Sequence, residues 1–348
     1  MDKITRIFID TSKSVFQLHG VNAAEQVVLR RQLRRDQMVV FFTKLPPTLI
    51  ALEACGASHH WARVLGGLGH EVKLIAAQHV KPYVRRGKND ARDAEAGCEA
   101  MSRPTMRFVP VKSVEQQAAL MLVGVRDRLV RDRTRLTNTI RGHAAEFGLA
   151  AAKGLDKIEP LLARIAREAS VPALARGLFA GLCREYEQLQ ARLRQIDAEL
   201  MAWHRSNPLS RDLVQIPSVG PIGASLLVMK TPDPLLFKSG RQFAAWMGLT
   251  PKDHSTAGKL RLGVITRAGD EALRSVLVVG ATAVIRQAKL GRLAWPWLMR
   301  LIARKEPKLA AVALANKVAR IAWKMMVTGE SFDRARMMRE PAAMATAA

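Results

Sequence analysis

The stretch Ile4-Thr5-Arg6-Ile7-Phe8-Ile9-Asp10 is a short apolar, β-branched run that ends on a carboxylate, and its reading decides the fold. Ser14–Gly20 alternates apolar and polar residues and Glu25–Arg30 can form a third strand, so three strands in close succession predict hairpins. A helix over Arg35–Lys44, a buried strand at Thr48–Ala54, a helix at Ser58–Gly69 and a strand at Glu71–Ala76 follow. The pattern is that of an α/β domain opening with an antiparallel meander.

The carboxylates fall at particular places in this pattern. Asp10 directly follows the first strand, and Glu53 lies near the end of Thr48–Ala54. Acids at the ends of apolar strands are costly to bury unless paired or bound to a cation. Asp90 and Asp93 stand three residues apart in Lys88-Asn89-Asp90-Ala91-Arg92-Asp93-Ala94-Glu95-Ala96, which reads as helix and projects both from one face. For any one of these acids an N-cap or a salt bridge is the commoner role. Four drawn from two strands and a helix supply what a Mg²⁺ site for phosphoryl transfer requires, hard oxygen ligands with room for water and phosphate.

Composition bounds the partners. The 348 residues carry 55 Lys+Arg against 30 Asp+Glu, a formal charge of +25, which points to a polyanion. Residues 206–348 hold 22 basic and 9 acidic side chains, about half of that excess. Apolar residues at 49% exclude wholesale disorder. The start of the chain, Met1-Asp2-Lys3-Ile4, puts charges where a signal peptide has its apolar region, so a cytoplasmic protein is expected, and the excess positive charge is what a nucleoid-associated one would carry. Cys55, Cys98 and Cys183 are too few and scattered for a disulfide framework or a Cys-rich zinc site.

The chain reads in three parts and a tail: an α/β domain over 1–105, a helical arm over 106–205, a mainly helical domain over 206–340, and a disordered tail, 341–348. Ser113–Phe147 is one long helix with Ala118, Leu122, Val125, Leu129 and Leu136 as its apolar stripe, Ser113 and Gln116 as its capping box, and Arg128, Arg131 and Arg135 among its basic residues. A second helix, Leu182–His204, carries Tyr186, Leu189, Leu193, Ile196 and Leu200. The two predict a helical hairpin or coiled-coil arm suited to self-association. Their arginines are either a solvated face or a nucleic-acid contact. Further helices are expected at Ile222–Lys230, Ser239–Trp246, Glu271–Lys289, Trp297–Arg304 and Lys308–Val327.

Ile9-Asp10-Thr11-Ser12-Lys13 with Phe16-Gln17-Leu18-His19-Gly20, Leu52-Glu53-Ala54-Cys55-Gly56, and Asn89-Asp90-Ala91-Arg92-Asp93 together resemble the DEDD-type insertion-sequence transposases, also called bridge-RNA-guided recombinases. The second half adds Ile216-Pro217-Ser218-Val219-Gly220-Pro221, Gly248-Leu249-Thr250-Pro251, His254-Ser255-Thr256-Ala257-Gly258-Lys259 and Ala313-Leu314-Ala315-Asn316-Lys317, so the resemblance covers essentially the whole chain.

That resemblance implies an RNase H-like (RuvC-like) N-terminal domain whose Asp10, Glu53, Asp90 and Asp93 bind Mg²⁺. It also implies a C-terminal transposase domain with a serine nucleophile that forms a phosphoserine link to DNA. Ser255 is the nearest match and Thr256 the rival hydroxyl; the family pattern commonly has glycine where Ala257 stands. Implied partners are donor and target DNA, a guide RNA, and further copies of the chain, as a dimer or, in the synaptic complex, a tetramer whose composite sites join one protomer's acids to another's serine. The segment Ile216–Ala224 resembles a helix-hairpin-helix turn, in which Gly220 and its neighbours could hold a phosphate at a helix start, although Ser218 replaces the usual glycine; a plain Pro/Gly turn is the alternative. Lys88, Lys259, Arg261, Arg267 and Arg274 are candidate phosphate contacts. Two other functions stay open at this level: a metal-dependent junction nuclease that uses water, and a basic nucleic-acid-binding scaffold without chemistry.

Overall fold

The computed structural model describes residues 3–84, 89–231, 233–293 and 295–338, and the chain divides into two compact units, 1–117 and 118–348. Lys88 and the 341–348 tail lie outside the described residues.

The first unit is built on a six-stranded mixed sheet in the order β3-β2-β1-β4-β5-β6. Strands β1 (Arg6–Thr11), β2 (Val15–Val21) and β3 (Val27–Arg34) form the expected antiparallel meander. β4 (Leu49–Glu53) lies parallel to β1, β5 (Glu71–Ile75) parallel to β4, and β6 (Phe108–Val109) antiparallel to β5. Helices α1 (Gln37–Thr43) and α2 (Ser58–Gly67) supply Met38, Phe42, Trp61 and Leu65 to a core with Ile7, Ile9 and Leu52. After the short α3 (Ala77–Val80), α4 (Asp90–Met101) places Ala94 and Cys98 in a second core with Phe8 and Ala51. Alternation along β1 thus sends Ile7 and Ile9 to one face and Phe8 to the other, so both faces of the central strand are covered. This mixed α/β architecture is compatible with the RNase H-like domain expected above.

In the second unit two long helices, α5 (Val114–Ala145) and α7 (Ala173–Ser206), run antiparallel, as the pairs Arg126–Asp197 (2.6 Å) and Arg133–Gln190 (3.2 Å) require. The capping box forms as expected: Ser113 Oγ accepts the Gln116 amide (3.1 Å) and Gln116 Oε1 accepts the Ser113 amide (2.9 Å). The stripe on α5 is shifted by one residue at its start: Ala119 and Val123 are buried, Ala118 is exposed, and Leu122 is half-buried against the same core. That phase lets the start of the helix join the C-terminal core, while Leu136 and Ile140 pack with Phe179, Tyr186 and the short α6 (Ile158–Arg167) in a separate cluster.

The C-terminal core is formed by α8 (Pro208–Leu213), α9 (Pro221–Lys230), α10 (Gly240–Trp246), α11 (Glu271–Lys289), α12 (Pro296–Arg304) and α13 (Pro307–Thr328), followed by α14 (Arg334–Met338). Between α10 and α11 a two-stranded antiparallel hairpin, β7 (Pro251–Asp253) and β8 (Leu262–Ile265), stands where only a loop was expected.

Candidate active site

Parallel pairing of β1 and β4 sets Ile9 opposite Leu52, so Asp10 and Glu53 follow at the same end of adjacent strands. Two-residue alternation puts Asp10 on the face of Phe8 and Glu53 on that of Ala51, the face covered by α4. Carboxyl ends of neighbouring parallel strands form the crevice in which open α/β sheets bind ligands.

Helix α4 brings the other two acids. Asn89 caps it, its side chain accepting the Ala91 amide at 2.9 Å, so Asp90 and Asp93 fall in the first turn, where the helix dipole favours negative charge. One carboxylate oxygen from each of Asp10, Asp90 and Asp93 lies within 4.8 Å of the others. Glu53 stands outside that set but within electrostatic reach of Asp10 and Asp93. The Asp10 carboxyl is pushed up to about 6, first by burial and then by the charges of Asp90, Glu53 and Asp93; Glu53 is raised by burial and then by Asp93. Crowded carboxylates that destabilise one another's ionised forms fit a divalent cation, whose charge reverses the repulsion.

Gly97, which the sequence reading did not single out, makes the arrangement fit. A Cβ there would run into the ring of Phe8, so only glycine lets α4 approach β1 this closely. Its seven-residue step from Asp90 and four-residue step from Asp93 place all three on one helix face, and that spacing was the available signal.

Ser255 lies in the connection of the β7–β8 hairpin. The Ser255 amide donates to Asp253 Oδ1 (2.8 Å), and the Arg261 amide donates to Ser255 Oγ (3.0 Å). Hydrogen bonds from Ser255, side chain first and then backbone, hold the Asp253 carboxyl below its usual range. Thr256 and Lys259 close the tip: the Lys259 amide donates to the Thr256 carbonyl (2.9 Å) across Ala257 (φ +48°) and Gly258 (φ +76°). Positive φ at both central positions is the type I′ arrangement that suits a two-residue hairpin turn. The His254 ring packs over Gly263 on the facing strand. Ser255, Thr256, Lys259 and Arg261 are all exposed, as are Leu260, Leu262 and Val264 beside them.

The remaining basic candidates differ in how their charge is used. Arg128 and Arg135 flank Asp132 at 3.1 and 3.7 Å, whereas Arg131 is exposed on the same helix. Arg274 donates to the carbonyls of Met247 and Ala268, both at 3.1 Å, tying the segment before α11 to the end of α10. Arg267 is exposed with φ +55°. Ser218 adopts φ +84°, the left-handed region that favours the glycine it replaces, and its hydroxyl is buried without a partner among the described residues. Gly220 is the exposed N-cap of α9, in a turn that packs on α11 through Gly280, where a Cβ would strike the Ser218 carbonyl.

Comparison with known proteins adds independent findings. A DEDD transposase family model of the IS110 type matches residues 8–147, and one described as the transposase IS116/IS110/IS902 family matches residues 210–295. A Sinorhizobium fredii protein named as a transposase is 66% identical over 337 residues, covering 96% of this chain and 87% of that relative. A Pseudomonas aeruginosa protein named as a family 20 transposase is 47% identical over 329 residues, 93% of this chain and 97% of its own length. A transposase for insertion sequence element IS1328 of Yersinia enterocolitica is 38% identical over 336 residues, 96% and 100% of the two chains.

Proposed function

This chain belongs to the IS116/IS110/IS902 family of insertion-sequence transposases, DNA-cutting and DNA-joining enzymes, and from that premise we propose that it exchanges strands through a phosphoserine intermediate at Ser255. The observation that carries this reading is the convergence of Asp10, Asp90 and Asp93, with Glu53 beside them, on one crevice. These four acids would hold Mg²⁺, which when bound neutralises charge on the phosphate and leaving oxygen.

Ser255 Oγ attacks the phosphorus of a DNA phosphodiester, forming the Oγ–P bond as the P–O3′ bond breaks. The hydroxyl proton leaves Oγ and a proton ends on the departing 3′ oxygen. A serine hydroxyl is a weak nucleophile near neutral pH. The Arg261 amide favours its ionised form by donating to Oγ, and Asp253 fixes the residue by accepting its amide. Attack of a new 3′ hydroxyl on the same phosphorus rejoins the strands and returns the proton to Oγ, so the exchange needs no ATP. The chain contains no Gly-x-x-x-x-Gly-Lys-[Ser/Thr] motif, in keeping with that economy.

The proposal includes a guide RNA as the source of sequence specificity, since base pairing can supply what a basic, sequence-blind surface cannot, and association of protomers as dimers and tetramers. Sequencing of RNA copurified with the protein and light scattering of the DNA-bound complex test these two points. A random RNA pool and a monomer at working concentrations, respectively, would refute them.

Function divides from simple hydrolysis at one residue. Ser255→Ala abolishes strand exchange under this reading and leaves metal-dependent nicking intact under the water-using one.

No helix among the described residues is long and apolar enough to cross a membrane.

A further inference from the structure

Helix α13 carries the segment Ala313-Leu314-Ala315-Asn316-Lys317, which the reaction above does not use. Asn316 has an internal task, its Nδ2 donating to the Leu249 carbonyl at 3.2 Å. Lys317 has an unusual setting. Its ammonium stands over two indoles, 4.0 Å from the ring centre of Trp297 and 5.3 Å from that of Trp295. One turn on, the backbone of Arg320 is pressed against α10, where a Cβ on Gly240 would lie 3.1 Å from it, and its Nε is buried without a partner among the described residues. Among the described residues, the ion pairs in this third of the chain, Lys230–Asp270 and Lys324–Glu330, include neither cation. The charge acting on Lys317 is that of Arg320, and the charge acting on Arg320 is that of Arg241; with burial as the larger cause, both are held below their ordinary values.

Partly buried cations are ordinarily compensated by a carboxylate. Here the compensation for Lys317 comes from ring quadrupoles, which attract the ammonium without cancelling its charge. A carboxylate partner would cost the cation its pull on an outside anion; an aromatic cradle leaves it. The outcome is a set of three cations, one exposed and two half-buried, in which Arg320 is repelled by Arg241 and in turn repels Lys317, a strain that an incoming anion relieves.

We propose that Lys317 and Arg320, with Arg241 at the rim, form a seat for the phosphodiester backbone of a nucleic acid, made of residues that take no part in the chemistry at Ser255. It rests on the family reading only in taking a nucleic acid as the partner. Backbone contacts carry no sequence information, so the seat holds DNA or RNA without reading it.

The test is equilibrium binding of the full-length protein in EDTA, so that cleavage and phosphoserine formation play no part and failure of the nucleophile assignment leaves the result unaffected. The probes are a short fluorescent DNA duplex of arbitrary sequence and a single-stranded RNA of the same length, each titrated across a salt series. In Lys317→Met the thioether takes the place of the ammonium over the indoles. The expected result is affinity weaker by roughly tenfold on at least one probe, with the slope of log K against log salt shallower by about 0.9 on the duplex or about 0.7 on the single strand. The free protein should melt at an unchanged or higher temperature, because a repelling charge has gone. Arg241→Gln, at an exposed position, should reduce the slope in the same direction without touching the core. The probe that responds identifies the polymer seated. Wild-type affinity and slope for both variants on both probes would overturn the proposal. So would a lowered melting temperature of Lys317→Met with unchanged binding, which would make Lys317 a packing residue.

Discussion

Gly97 lies against the ring of Phe8 with no room for a methyl group between them. Through that approach α4 sits on the central strand closely enough for Asp90 and Asp93 to reach Asp10. A backbone position with no chemistry of its own thus sets the spacing of the acidic cluster.

Gly97→Ala should therefore cost about 1–3 kcal/mol from overpacking, and it should also weaken metal response by displacing two of the acids. Melting curves with and without Mg²⁺ check this. Mg²⁺ should raise the melting temperature of the wild type and have little effect on the variant, and equal stabilisation of both would mean that α4 holds its place without the glycine.

A second prediction concerns Asp10 and pH. Its folded value of about 6 lies above the ordinary 3.8, so between those values the folded state binds more protons than the unfolded one. In EDTA its contribution to stability is full below about pH 4 and is lost as pH rises through about 6. Asp10→Asn should accordingly be more stable than the wild type at pH 7.5 in EDTA, by on the order of 1 kcal/mol after solvent screening, and should lose metal-dependent activity. Urea titrations at pH 4 and 7.5 check the sign: the variant's advantage should be small at pH 4 and larger at 7.5.

Most of the first unit was legible in the sequence because each element there has one dominant signal. Ile7, Phe8 and Ile9 make an uninterrupted apolar strand, and Asn89 with Asp90 marks a helix start. Family resemblance added the identity of the acids. The β7–β8 hairpin was not legible: its strands span three and four residues, and apolar Leu262 and Val264 are exposed, so no buried face imposes a readable alternation. The start of α7 was missed as well. Gly177 and Gly181 argue against helix in isolation, yet the helix runs through both because Phe179 and Tyr186 pack into one cluster. Nor could the sequence show that Lys317 rests on indoles contributed from twenty residues away.

Ala257 is held at φ +48°, where an L-residue with a Cβ pays roughly 1–2 kcal/mol. Ala257→Gly should relieve much of that cost at the hairpin tip. Hydrogen exchange at the Lys259 amide, which donates to the Thr256 carbonyl, should slow in the variant. Faster exchange would show that the tip gains more from the methyl group than it loses to strain.

Arg274→Ala removes the single guanidinium nitrogen, Nη1, that donates to the carbonyls of both Met247 and Ala268 and should cost about 2 kcal/mol. Arg274→Lys should recover only part of this, since one ammonium reproduces the guanidinium geometry poorly. Denaturant midpoints for the two variants decide it; full stability in Arg274→Ala would show that the carbonyls find other donors.

The central claim, that Ser255 Oγ forms the bond to phosphorus, is tested most directly by trapping the protein on a nicked suicide DNA substrate and mapping the modified peptide by mass spectrometry. The account predicts a Mg²⁺-dependent DNA adduct on Ser255, in the peptide Asp253–Lys259, that is lost in Ser255→Ala and kept in Thr256→Ala. An adduct on Thr256, or cleavage with no adduct anywhere in the chain, would contradict it.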